Sequence, residues 1–280
     1  MDPKDDTPMF LAPGASFGAS RMRLPAECEW PPVDDYLDEP EVTRYERPGG
    51  RRVLASPATA EHGDPHFLLD KVLGPHLAEG YVGSVDLKTR VDTKREFASD
   101  TCVRKSGIDP GTGKRYLEEL VFEVVYKRSA DETKQRAQSF AARGVRRQIA
   151  IFVRERKVCE WSTTGNGWRT LDPRRSLRDS CLVRPLPIRA LFDGALAEIA
   201  VARALEAKDN PAIVEMKRES EARGHARSLL TILDERGLPV SGAARARILA
   251  TSDPETLERW LRRAITASSI DDVLGADSEP

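Results

Sequence analysis

The run Leu120-Val121-Phe122-Glu123-Val124-Val125-Tyr126 constrains this chain more than any other stretch. Its β-branched and aromatic residues do not alternate with polar ones, which is the pattern of a strand covered on both faces. Such a strand lies at the centre of a sheet with layers packed above and below. Glu123 interrupts it. An unpaired carboxylate there would cost several kcal/mol, so Glu123 must be neutral, ion-paired or bound to a cation. Two readings are open: a metal ligand, or the partner of an arginine such as Arg136.

The rest of the pattern supplies the layers. Residues 1–40 carry Pro25, Pro31, Pro32 and Pro40 and predict a flexible acidic arm. A first strand is expected near Arg52–Ala55. Asp64-Pro65 reads as the N-cap and first position of a helix running to about Glu79. Strands follow at about 81–91, 96–103 and 117–127, the last two joined by a polar loop at 105–116. Gly111-Thr112-Gly113-Lys114 in that loop lacks the spacing, the following Ser/Thr and the helix of a phosphate loop. Asp131 and Thr133 open a helix with Ala137, Phe140 and Ala141 inward and Gly144 closing it. Gln148–Val153 and Val158–Thr163 form a hairpin, and Gly165-Asn166-Gly167 turns the chain into Trp168. From Phe192 the strands stop, and Ala, Glu, Arg and Leu dominate to the end. The division expected is an arm at 1–40, a mixed-sheet domain at 41–191, a helical region at 192–275 and a tail at 276–280.

Composition excludes several classes. The formal charge over 280 residues is −1, so nothing in the total advertises nucleic acid. The distribution is uneven: 15 Lys+Arg against 6 Asp+Glu between Arg128 and Arg189 is an excess of 9, whereas residues 1–50 hold 11 acidic against 5 basic. Arg143, Arg146, Arg147, Arg154 and Arg156 fall in the basic stretch and are the candidates for a phosphate backbone. Four scattered cysteines make neither a zinc site nor a disulfide framework and fit reduced thiols in the cytoplasm. No apolar run of about 18 residues predicts a membrane span. His62 and His66 stand four apart, but Pro65 intervenes and no third ligand presents itself, so a structural role is expected.

The chemistry centres on two carboxylates. Asp100 ends one strand and Glu123 lies on the next, and an antiparallel hairpin between them would bring both side by side. Such a pair is a hard-oxygen site suited to Mg²⁺ or Mn²⁺. In order along the chain stand Arg44-Tyr45-Glu46, Ser56-Pro57 with His62, Ser99-Asp100, the apolar strand to Glu123-Val124, and Ala142-Arg143-Gly144-Val145 before Gln148-Ile149. In these residues the chain resembles the Uma-two family of restriction endonucleases, within the PD-(D/E)XK nuclease superfamily. The resemblance implies an α/β fold, a restriction-endonuclease-like mixed sheet flanked by helices, with an all-helical C-terminal unit beyond it. It implies a metal-dependent DNA endonuclease with Asp100 and Glu123 on the metal, and Glu61 as an additional helix acid. The superfamily places a lysine two residues after the acid, where this chain has Val125. Lys127, on the same strand face about 13 Å along, and Lys134, early in the next helix, are the substitutes. The alternative is a catalytically inactive nuclease fold that binds nucleic acid or a protein. The helical tail is similar to that of Rpn-type transposase-associated nucleases, and its amphipathic helices suit a homo-oligomer or a protein partner. Glu123→Gln is expected to abolish cleavage and spare the fold.

Overall fold

The computed structural model describes residues 45–46, 50–51, 53–54, 59–92 and 94–275. The predicted arm at 1–40 lies outside them. Strands β1 (Tyr45–Glu46) and β2 (Val53–Leu54) pair antiparallel, which puts the first expected strand in place. Helix α1 (Ala60–His76) follows. It starts five residues earlier than expected, because the Thr59 carbonyl accepts from the His62 and Gly63 amides and Pro65 is carried within the helix. It also stops at His76 rather than Glu79, since Leu77 turns extended and bridges to Leu182.

The sheet is built from β3 (Tyr81–Asp92), β4 (Arg95–Lys105), β7 (Glu118–Val125), β8 (Arg147–Phe152), β9 (Lys157–Ser162) and β10 (Gly167–Thr170). Between β4 and β7 the predicted loop closes on a miniature hairpin, β5 (Ile108–Asp109) with β6 (Lys114–Arg115). Spatial order is β10-β9-β8-β7-β4-β3, and only β7 and β8 run parallel. They do so because helix α2 (Ala130–Arg143) crosses over between them. The α2 N-terminus is fixed by a capping box between Ser129 and Glu132, and Gly144, at φ 107°, ends the helix.

Strand β7 is central and covered on both faces. On one side Leu120, Phe122 and Val124 join Leu69, Val72 and Leu73 of α1. On the other Val121 packs with Phe140 and Val145 at α2. Short strands β11 (Ser176–Leu177) and β12 (Leu186–Pro187) and a 3-10 turn over Ile188–Leu191 lead to α3 (Gly194–Ala207). Helix α3 lies on α1, and its Ala197 and Ala200 belong to the first core. The change of composition at Phe192 therefore precedes the division between cores, which falls after α3. Helices α4 (Pro211–Glu235), α5 (Gly242–Ala250), α6 (Pro254–Ala264) and α7 (Ile270–Leu274) close around Leu229, Leu233, Ile248, Leu257 and Trp260. Cys102, Cys159 and Cys181 are buried free thiols, and no helix among the described residues is long and apolar enough to cross a membrane.

Candidate active site

Glu123 is 4% exposed on the α2 side of β7. Its charge is met by two guanidinium groups. Arg136, from the second turn of α2 and equally buried, bonds both carboxylate oxygens, Nη2 to Oε1 at 3.0 Å and Nε to Oε2 at 3.2 Å. Arg128, on the bend that leaves β7, bonds Oε2 through Nη1. Arg136 is held further by donating to the Ala98 carbonyl at 2.6 Å and by lying 5.0 Å over the Phe97 ring. Of the two readings of this glutamate, the arginine pair is therefore present, and it resolves the cost of burial.

Asp100 lies on β4, the strand beside Glu123. The β4–β7 register pairs Cys102 with Val121 and Thr101 with Phe122, so the next place sets Asp100 opposite Glu123. The strand is irregular here. Phe97 and Cys102, five apart, pack into the same cluster beside α2, which strict alternation forbids. Asp86, in the facing place of β3, has φ 51°. The Asp100 side chain turns so that Oδ2 accepts from the Val124 amide at 2.6 Å, with His62 Nε2 at 3.5 Å. Burial pushes the Asp100 carboxyl up, but His62, the charge of Arg128 and the Val124 amide outweigh it and hold the group below its ordinary value. The contact with Asp100 raises His62 in turn, against its own burial. His66 Nε2 sits 2.8 Å from the Asp100 carbonyl and 2.9 Å from Thr101 Oγ1, while Thr101 donates to Asp70 at 2.6 Å. Both histidines thus brace β4 against α1, consistent with the structural role expected of them. Because the helix runs through Pro65, they share one face, edge to face at 5.7 Å.

Residues 30–187 match the family model Uma2, described as "Putative restriction endonuclease". The chain belongs to the Uma2 family. A solved structure titled as a "putative nuclease belonging to DUF820" from Anabaena variabilis is similar to it, at 14% identity and a TM-score of 0.44, over 57% of this chain and 97% of that one. No curated protein matches.

The Uma2 match covers the sheet, and within it the other predicted residues are dispersed. Strand β7 ends at Val125, so the alternation that aimed Lys127 toward Glu123 stops short of it. Lys127 lies exposed on the bend with Nζ 5.5 Å over the Tyr126 ring. Lys134 is half-buried in α2, and neither lysine bonds Asp100 or Glu123 among the described residues. Glu61 is exposed at the start of α1. A hydrogen bond with Thr59 is the main cause of its lowered carboxyl, with smaller contributions from Lys127 and Arg154.

The predicted arginine track divides. Arg146 and Arg147 both bond Asp179, and they pair further with Glu119 and Glu160 respectively. Arg147 stands opposite Leu120 in the parallel register, three places before Glu123, and therefore toward the far end of the sheet. Arg143 donates to the Arg90 carbonyl. Arg156 covers Phe192 at 5.5 Å. Arg154, on the turn between β8 and β9, is the one of these five that lies over Tyr126, 4.7 Å from a ring that Lys127 also approaches. Arg128 escaped the sequence reading altogether. Its one signal was a cation placed just past the end of a buried acidic strand.

Among the described residues no group of three or more His, Cys, Asp or Glu side chains is arranged to hold a metal ion. Asp100 and Glu123 are the right donors for a hard divalent cation. As the side chains stand they do not fit one, because both Glu123 oxygens are bonded to guanidinium and Asp100 Oδ2 to a backbone amide.

Proposed function

We propose that this chain is a DNA endonuclease dependent on a divalent metal ion, Mg²⁺ or Mn²⁺, with Asp100 and Glu123 as the acidic pair. Two buried carboxylates on adjacent strands, one bonded to Arg128 and the other under the charge of that same arginine, carry the reading. Were these carboxylates freed from their guanidinium and amide partners to hold such an ion, it would supply charge to the phosphate and an activated water. The chain's own residues set the rest. His62, Arg128 and the Val124 amide hold the Asp100 carboxyl below its ordinary value against its burial, Arg136 fixes the Glu123 carboxylate, and Lys127 with Arg154 forms a basic rim around Tyr126 for the approaching backbone. The helical unit, with Leu249 and Ile265 exposed, is the surface we assign to self-association or a protein partner.

One observation favours a second reading. Val125 occupies the motif's lysine place and Glu123 is clamped by two arginines, as suits a nuclease fold that binds nucleic acid or a protein without cutting. Supercoiled plasmid incubated with the full chain in Mg²⁺, Mn²⁺ or EDTA separates the two. Nicking that needs the ion and disappears in Asp100→Asn supports the endonuclease. Plasmid that is retarded on a gel but stays intact under every ion supports the binding protein.

A further inference from the structure

Strand β8 divides its side chains between the two faces of the sheet. Ile149 and Ile151 join the first core beside α1. Gln148 donates to the Ala137 carbonyl of α2 at 3.0 Å, so by alternation Phe152 also points to the α2 side. Helix α2 leans toward the β3 edge there, where Arg95 donates to Ser139 and Arg143 to the Arg90 carbonyl. On its other flank Gln138 reaches the β9–β10 turn and donates to Asn166 at 2.9 Å. Beyond that flank the sheet face carries an aromatic strip. Phe152 and Trp168, both half-buried, meet edge to face at 6.1 Å. Trp161, the register partner of Trp168, lies 5.3 Å from it and is 8% exposed.

Two features separate this strip from an ordinary closed core. Trp168 Nε1 is buried with no acceptor among the described residues, whereas a buried indole N–H usually has one. The strip is also bordered by cations. Lys157, opposite Phe152 in the register, lies with Nζ 5.0 Å over its ring. Lys134, one turn before Gln138, falls on the flank of α2 that borders the strip. Lys127 and Arg154, on the bends that leave β7 and β8, flank Tyr126. None of these four cations is bonded to a carboxylate among the described residues, in contrast to Arg146 and Arg147. Glu61 feels the charge of Lys127 and Arg154 without a bond to either.

Aromatic rings interleaved with unpaired cations suit nucleic acid whose bases are unstacked. Every base has a π face to set on a ring, and the backbone follows the positive charges. A continuous duplex keeps its bases stacked on one another and offers the rings nothing. We propose that the strip from Phe152 to Trp168 binds an unpaired stretch of nucleic acid, with a base on Trp168 and phosphates on Lys157 and Lys134, continuing the basic rim at Lys127 and Arg154. This rests on the reading of the chain as a nuclease fold that binds nucleic acid, and it holds whether or not the chain cuts. The preferred substrate is then a strand with a flap, tail or loop.

The test is a titration of the full chain, in EDTA so that no strand is cut, into a fluorescein-labelled oligothymidylate of about 20 nucleotides and into a duplex of the same length. Anisotropy reads the affinity and tryptophan emission reads stacking. Wild type should bind the oligothymidylate more tightly than the duplex, with its emission quenched. Trp168→Leu keeps apolar volume without the ring, and should bind the oligothymidylate at least about fivefold more weakly while the duplex changes less than about twofold. Trp168→Phe keeps a ring and should retain most of the affinity while losing quenching. Lys157→Ala should flatten the slope of log affinity against log salt on the oligothymidylate by about 0.7. A thermal melt within a few degrees of wild type checks each variant, and if Trp168→Leu does not fold, Trp168→Phe and Lys157→Ala decide the matter. Duplex preferred by wild type, an unmoved oligothymidylate affinity in Trp168→Leu, or equal losses on both probes overturns the strip. Binding of the duplex alone overturns the strip and spares the nucleic-acid reading, whereas binding of neither probe overturns both.

Discussion

Replacing Glu123 by Gln is the perturbation whose outcome the structure changes most. By shape alone the swap is neutral, and from the sequence it was expected to remove activity and spare the fold. The structure sets a cost. Arg136 is 4% exposed, and its side chain is bonded to both Glu123 oxygens. Taking away the carboxylate charge removes the countercharge of a buried guanidinium that also donates to the Ala98 carbonyl and lies over the Phe97 ring. Breaking a buried ion pair from one side costs about 3–5 kcal/mol. The Gln amide oxygen still accepts one bond and Arg128 can turn to water, so the lower end, about 3 kcal/mol, is the expectation for Glu123→Gln. In a domain of this size that is a fall of about 6–12 °C in Tm. The compensated pair Glu123→Leu with Arg136→Met should recover most of the loss, because apolar replacement of both partners of a buried pair is often neutral or stabilising. Urea unfolding followed through hydrogen exchange of the β7 amides isolates the sheet from the separate helical core, and the double-mutant cycle gives the coupling directly. A Glu123→Gln chain within about 0.5 kcal/mol of wild type would refute the argument, as would a double variant no better than the sum of its parts. Loss of cleavage in Glu123→Gln alone then says little about chemistry, which is why Asp100→Asn is the cleaner test of the site.

Four further outcomes follow from the structure. Arg146 and Arg147 are engaged with Asp179, Glu119 and Glu160, so reversing them to Glu should destabilise the chain and leave the salt dependence of DNA binding unchanged. The pair Lys127→Glu and Arg154→Glu should flatten the slope of log affinity against log salt by about two units, measured by fluorescence anisotropy. Truncation after Asp209 should leave a cooperatively melting sheet domain, whereas truncation after Leu191 strips Ala197 and Ala200 from the first core and should aggregate or melt without cooperativity. For Asp179, burial pushes the carboxyl up, but hydrogen bonds from Arg146, the Cys181 amide and Arg147 outweigh it and hold the group well below the usual carboxylate range. A depressed folded value means its stabilisation is complete above the unfolded value of about pH 4 and is lost as pH falls toward the folded one. Asp179→Asn should therefore flatten the acid limb of the stability profile below about pH 4, and an unchanged limb in urea titrations would count against the pairing.

The sequence by itself determined the sheet and its place in a family. The unbroken apolar run around Phe122 could be satisfied only by a central strand, and strand β7 has the helices on both sides that such a strand needs. Gly144 closed α2 where its spacing from Phe140 said it would, since a left-handed residue ends a helix by local rules alone. The start of α1 was misplaced for the converse reason. Asp64-Pro65 is a strong local signal, and it lost to the Thr59 carbonyl, which takes the His62 and Gly63 amides. What only the tertiary structure decided was the electrostatics of the site. Whether Glu123 would face a metal or an arginine depended on which cation α2 and the 126–128 bend would carry back to it. That is a matter of three-dimensional return, not of spacing along the strand. The same holds for the arginine stretch. Its charges look alike in sequence, yet Asp179 captures two of them and Tyr126 collects another beside Lys127, because ion pairing is fixed by proximity in space and the local excess of charge says nothing about who is near.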